Sequence, residues 1–219
     1  MRPIAILCAA RKTSYRDIEG LEIFDEVRDA RTFAGGMPVV AHPPCRYWIG
    51  GGFGFLARKH AKPGIAERER ELGLFCARQV QENGGILEQP AKSGLFAAAG
   101  LPLPGSPQSI DSFSLHVWQR WWGYPTKKGT WLYFRNISQF SIEIPFCLHN
   151  RGFDRWEMDH QFSARRKSET VPAFANWLVD LARGARMHTP EAAHGFSPAV
   201  MTPSRRYRRW TPESKEVAP

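Results

Sequence analysis

The sequence predicts an α/β fold: one doubly wound, mostly parallel sheet, followed by an irregular basic tail. Three observations carry this expectation. Short apolar runs of strand character recur at 4–8, 21–24, 39–41 and 86–87. A segment with helical spacing separates the last two of these runs, the alternation that builds parallel sheets. Two of the runs end abruptly at proline, which has no N–H to continue a ladder.

The first predicted strand, 4–8, leads into Ala9-Ala10-Arg11-Lys12-Thr13-Ser14-Tyr15. The second, 21–24, follows so soon that an ordinary crossover helix has no room. The third, Val39–Ala41, stops at His42-Pro43-Pro44-Cys45. A glycine-rich patch spans 50–54. Residues 65–83 then read as a helix, with Leu72, Phe75, Cys76 and Val80 near 3.6-residue spacing. Gly84-Gly85 closes it with the backbone freedom that helix ends use. The next strand, 86–87, halts at Glu88-Gln89-Pro90. The stretch 97–110 is too rich in proline and glycine for regular structure. Two further strands are expected at 114–121 and 130–134. The last helix covers 172–183, with Pro172 in its first turn and Phe174, Trp177, Leu178 and Leu181 on one face.

The domain boundary falls at about residue 187. Beyond it prolines recur and the cluster Arg205-Arg206-Tyr207-Arg208-Arg209-Trp210 appears, so 188–219 reads as a tail. It offers phosphate contacts and stacking on one reading, a solubilising end on the other. The 219 residues support one substantial core. No apolar stretch approaches the ~20 residues that span a bilayer, and no membrane partner is expected. The N-terminal apolar run is too short for a signal peptide, which points to the cytoplasm. The four cysteines form no CxxC, so neither a zinc ribbon nor a disulfide framework is indicated. Cys8 and Cys76 read as small buried apolar groups. The net charge of +9 favours a polyanionic partner, most commonly nucleic acid.

The chemistry concentrates at two strand ends. In an open α/β sheet, adjacent parallel strands present their C-terminal ends to one crevice. Cys45 and Glu88 would meet there, a thiol nucleophile beside a carboxylic acid. That pairing suits addition to a pyrimidine ring.

The apolar-His-Pro-Pro-Cys segment resembles the nucleophile motif of DNA (cytosine-5) methyltransferases. In that family a later strand ends in Glu-Asn, for which Glu88-Gln89 stands here. The likeness is nearest to short phage and prophage proteins of the superfamily. They carry His-Pro-Pro-Cys, then Glu-(Asn/His/Gln)-Pro, then a basic-Thr-(Trp/Leu)-Leu segment. All three occur in order, as 42–45, 88–90 and 127–132. The likeness covers roughly 36–136, and the helix at 172–183 looks like the family's closing motif.

The resemblance implies a sheet of the S-adenosylmethionine-dependent methyltransferase type and action on DNA in a bacterial host cell. Cys45 is then the nucleophile that attacks cytosine C6, and Glu88 protonates N3. S-adenosyl-L-methionine supplies the methyl group, with Asp25 at its ribose, Asp29 at its adenine and Pro43 beside it. Arg46, Lys127, Lys128 and Arg135 hold DNA phosphates, contacts that position without specifying sequence. Tyr47, Trp48 and Phe53 are candidates to stack on the flipped base. Arg46 and a helix N-terminus would favour thiolate at Cys45. Burial would raise Glu88 and keep it a proton donor. The first loop departs from the family pattern: it has no glycine before Gly20, and its side chains would crowd a ligand.

Two other classes remain open: a non-catalytic DNA-binding relative that keeps the sheet, and a pyrimidine-modifying enzyme with another donor. His42 reads either as a structural histidine or as a substrate contact. A zinc set from His42, Cys45, Cys147 and His149 has no motif spacing behind it.

Overall fold

The computed structural model describes residues 1–50, 59–125, 128–145 and 169–186. They belong to one unit, Met1–His188. The expected tail at 188–219, together with Lys127, Phe53, Cys147 and His149, lies outside the described residues.

Six strands form one sheet: β1 (Ile4–Leu7), β2 (Leu21–Phe24), β3 (Val39–Ala41), β4 (Gly85–Pro90), β5 (Ser112–Trp118) and β6 (Gly129–Arg135). Their spatial order is β2-β1-β3-β4-β6-β5. The first four strands are parallel, and β6 runs antiparallel to both β4 and β5. The mostly parallel α/β sheet expected from the sequence is therefore present.

Successive side chains of a strand face opposite sides, so every strand but the edge strand β5 feeds two cores. On one side Ile6, Val40, Ile86, Leu132 and Phe134 pack with Phe174, Leu178 and Val179 of the closing helix, Pro172–Arg183. On the other side Ala5, Leu7, Val39, Ala41 and Leu87 pack with Cys76, Ala77 and Val80 of the long helix, Ile65–Asn83. The long helix is α1 and the closing helix α3; a single turn, Leu95–Ala98, is α2. Helices thus cover both faces, as the near-continuous apolar character of β1 and β3 requires. The β1–β2 connection contains one 3-10 turn, Ser14–Asp17, in agreement with its short length.

Two strand ends differ from the expectation. The β4 strand continues through Glu88 to Pro90, which pairs with Thr130 of β6. Ala91 N–H bonds to Gly129 O at 2.9 Å, so by pleat alternation position 90 faces the other side. There β3 has already ended, and no partner needs the missing proline N–H. The β5 strand stops at Trp118, and Gln119–Trp122 forms a 3-10 turn closed by left-handed Gly123 (φ +87°). That turn swings Trp122 onto Phe174 and Trp177 of α3, at centroid distances of 4.8 and 4.5 Å.

Candidate functional site

The C-terminal ends of β1 to β4 open onto a cleft of about 980 Å³. This is the rim where the strand order reverses from β1 to β3, the place where open α/β sheets bind ligands. Its wall includes Cys45, Glu88, His42, Pro43, Tyr15 and Lys128. The two groups the sequence singled out therefore share one cavity, on the ends of neighbouring parallel strands.

The Cys45 loop is fixed from both ends. Gln89 is buried; its Nε2 donates to Pro43 O at 2.6 Å, and its Oε1 accepts from Ser93 Oγ at 3.0 Å. Beyond the cysteine, Trp48 N and Ile49 N donate back to Cys45 O. A tight turn thus holds the sulfur at the rim.

Glu88 sits among donors. His42 Nδ1 lies 3.2 Å from Oε2, and Gln119 Nε2 donates to Oε1 at 3.1 Å. Gln119 Nε2 also reaches Thr130 Oγ1 at 3.0 Å, and His42 Nε2 lies 2.7 Å from the Tyr15 hydroxyl. Both carboxyl oxygens are thus occupied, with the side chain only 14% exposed.

The charge states differ from those the resemblance implies. Burial pushes Glu88 up, but the His42 hydrogen bond and charge, with Lys128 and Thr130, outweigh it. The carboxyl rests below its ordinary value and is ionised. Burial, followed by the Glu88 charge, pushes the Cys45 thiol up, and Lys128 and Arg46 oppose this only partly. The free protein therefore holds a thiol beside a carboxylate. Burial also lowers Lys128, against the charges of Glu88, Cys45 and Glu169. Its Nζ donates to Glu169 O at 3.0 Å and lies 4.8 Å from the Tyr124 ring centroid.

The remaining expected residues are dispersed. Arg46 is exposed and pairs with Glu69 at 2.9 Å. Arg135 is registered with Gly85, at the start of β4, and pairs with Asp111 at 3.6 Å. It thus stands at the rim opposite Cys45. Tyr47 and Trp48 are buried, and Trp48 packs in the core against α1, within reach of Gly73. Cys8 lines the cleft instead of being fully buried, with its sulfur 3.6 Å from that of buried Cys76. Among the described residues no cluster of three or more metal-ligating side chains occurs.

Asp25 and Asp29 border the cleft, but the chain itself uses their oxygens. Asp25 Oδ2 accepts from Arg16 at 2.6 Å, and Oδ1 accepts from Val27 N and Arg28 N. Those backbone bonds, ahead of the Arg16 charge, hold Asp25 below the usual carboxylate range. Asp29 caps the turn Ala30–Thr32 and pairs with Arg31 at 3.2 Å.

Tyr15, Gln119 and Thr130 also belong to the site, and nothing in the sequence singles them out as functional. No signal short of the fold joins Tyr15 to His42, whereas Thr130 lies within the quoted basic-Thr-Trp-Leu segment. Family models, curated proteins and solved structures yield no match to this chain. Among the described residues, no helix is long and apolar enough to cross a membrane.

Proposed function

We propose that the protein modifies a DNA base by activating a cytosine ring, in the manner of cytosine-5 methyltransferases, with Cys45 as nucleophile and Glu88 as proton carrier. The observation that carries this reading is their convergence, from the ends of β3 and β4, on one cleft.

The inverted charge states fit the chemistry. A thiolate beside a carboxylic acid and a thiol beside a carboxylate hold the same single proton, shared by a coupled pair. Ring addition only has to move it. Glu88 accepts the proton from Cys45 as Sγ bonds to C6. The C5=C6 electron pair shifts into the ring, and Glu88 delivers the same proton to N3. Carbon 5 becomes nucleophilic, and Glu88 ends as it began. Lys128 faces the negative charge throughout. A base inside a duplex must leave the stack to reach this rim.

S-adenosyl-L-methionine does not fit the residues the resemblance assigns to it. Asp25 and Asp29 are already engaged, and the first loop presents Ala9, Ala10, Arg11 and Lys12 to the cleft. We therefore favour an electrophilic one-carbon or hypermodifying donor of another class. DNA as partner rests on the net charge of +9 and on Lys128 beside the reacting pair. The phage-type resemblance puts the activity in the cytoplasm of a bacterial host cell.

One test needs no donor. Reversible addition at C6 exchanges the cytosine C5 hydrogen with solvent deuterium, which mass spectrometry reads in a single-stranded oligonucleotide or in dCMP. The rate is bell-shaped in pH. It falls below the depressed Glu88 value, where the carboxyl can no longer accept the thiol proton. It falls again above the raised Cys45 value, where the pair has no proton left for N3. Exchange in the oligonucleotide supports DNA, and exchange in dCMP alone moves the substrate to a free nucleotide. Exchange in neither substrate refutes cytosine activation.

A further inference from the structure

Behind Glu88 runs a chain of polar contacts that ring chemistry does not require. The Tyr15 hydroxyl lies 2.7 Å from His42 Nε2, and His42 Nδ1 lies 3.2 Å from Glu88 Oε2. Tyr15 is 1% exposed and tilts against the His42 ring at a centroid distance of 5.4 Å. It comes from the 3-10 turn after β1, whereas His42 comes from the end of β3. His42 N–H also donates to Leu7 O at 2.9 Å, so backbone and ring are both fixed. The turn after β1 and the ends of β3 and β4 thus contribute to one line of side chains, and that line ends on the carboxyl group that shares the cleft with Cys45.

We propose that His42, held in place by Tyr15, is a positioning residue that orients Glu88 and keeps it ready to accept the Cys45 proton. The geometry is specific. An imidazole anchored through Nε2 presents Nδ1 along one direction, and a second-layer partner of this kind commonly fixes the ring's orientation. Gln119 Nε2 holds the other carboxyl oxygen. The carboxyl group therefore cannot rotate away, and both oxygens receive donors that favour the ionised form. Burial raises Tyr15 far above its ordinary value, with the Glu88 charge adding to this. Its hydroxyl stays protonated and serves His42 as an anchor.

Every charged or titratable group facing Glu88 enters the test. From β3 and its loop these are His42 and Cys45. From the residue before β6 it is Lys128, with Glu169 of the segment before α3 acting through Lys128. From the turn after β1 it is Tyr15.

This inference rests on the function proposed above, but its test is separable. The side-chain carboxyl carbon of Glu88 is followed by carbon-13 NMR through a pH titration of the full chain. His42→Ala, His42→Gln and Tyr15→Phe are compared with the parent. His42→Ala should raise the Glu88 midpoint by about one unit or more, because burial persists while an opposing partner is lost. Tyr15→Phe should move it the same way by less. His42→Gln restores an N–H donor and should lie between His42→Ala and the parent. The acid limb of the C5-exchange profile should follow each midpoint. An unchanged midpoint in a folded His42→Ala or Tyr15→Phe protein overturns the inference. Shifted midpoints without exchange in the parent would retain the positioning role of His42 and refute cytosine activation instead.

Discussion

Cys45→Ser abolishes deuterium incorporation at cytosine C5, and Glu88→Gln slows it by about 10²–10⁴-fold. The two losses have different origins. Serine offers an alcohol that the carboxylate cannot deprotonate usefully, so no bond forms to C6. Glutamine leaves the sulfur in place but can carry no proton from it to N3. The double variant should be no slower than Cys45→Ser alone, since both residues act in one step. Cys45→Ser conserves size and should leave thermal unfolding close to that of the parent, whereas Glu88→Gln turns one of two buried acceptor oxygens into an NH2 group facing a donor and should lower stability by about 1–3 kcal/mol. Residual exchange in Cys45→Ser that Glu88→Gln slows further would indicate two independent roles and contradict the shared-proton account.

The largest effect on stability is expected at Gly85. Its φ is +119°, and an added Cβ would stand 2.0 Å from Val39 O and 2.7 Å from Val39 N. Neither neighbour is a flexible side-chain end: both belong to the β3 backbone, to which Gly85 is registered. Gly85→Ala therefore combines backbone strain with overpacking, each about 1–3 kcal/mol. The sum, roughly 2–6 kcal/mol, lowers the melting temperature by about 4–24 °C in a chain of this size. Urea denaturation followed by circular dichroism measures it. A loss below about 1 kcal/mol would show that β3 and β4 separate easily. Because β3 leads to Cys45 and β4 carries Glu88, the same variant should also weaken C5 exchange under conditions where it remains folded.

How far the sequence revealed the site depends on chain direction. The meeting of Cys45 and Glu88 was legible because both follow from one local rule: an apolar strand, then a proline, then the sheet's C-terminal rim. The strand at 130–134, between Lys128 and Arg135, was legible, but its direction was not. Since β6 is reversed, its start lies beside Pro90 and its end beside Gly85. Lys128 therefore reaches the cleft, and Arg135 stands on the opposite rim. Local pattern also misplaced Trp48. It sits three residues after Cys45, yet the turn that brings the sulfur to the rim sends the indole toward Gly73 and α1. Charge states were not legible at all. They depend on His42 and on burial, and the Tyr15 anchor lies 27 residues earlier in the chain.

The cofactor positions show the same limit. Asp25 and Asp29 occupy the expected places after β2, but their environment is set by Arg16, Arg31 and the backbone of the following turns. A residue's place in a strand-end pattern fixes where it stands. The neighbours that satisfy it decide whether it remains free to bind.

The central claim is that the Cys45 sulfur adds to a pyrimidine ring gripped by Glu88. The most direct measurement uses a single-stranded oligonucleotide carrying one pyrimidin-2-one base. That ring lacks the 4-amino group, so its C6 is more electrophilic and the adduct accumulates without a donor. Intact-mass and peptide mass spectrometry should find one oligonucleotide per chain, attached at Cys45, and none with Cys45→Ser. Attachment at Cys8, or no attachment in the parent protein, would contradict the account.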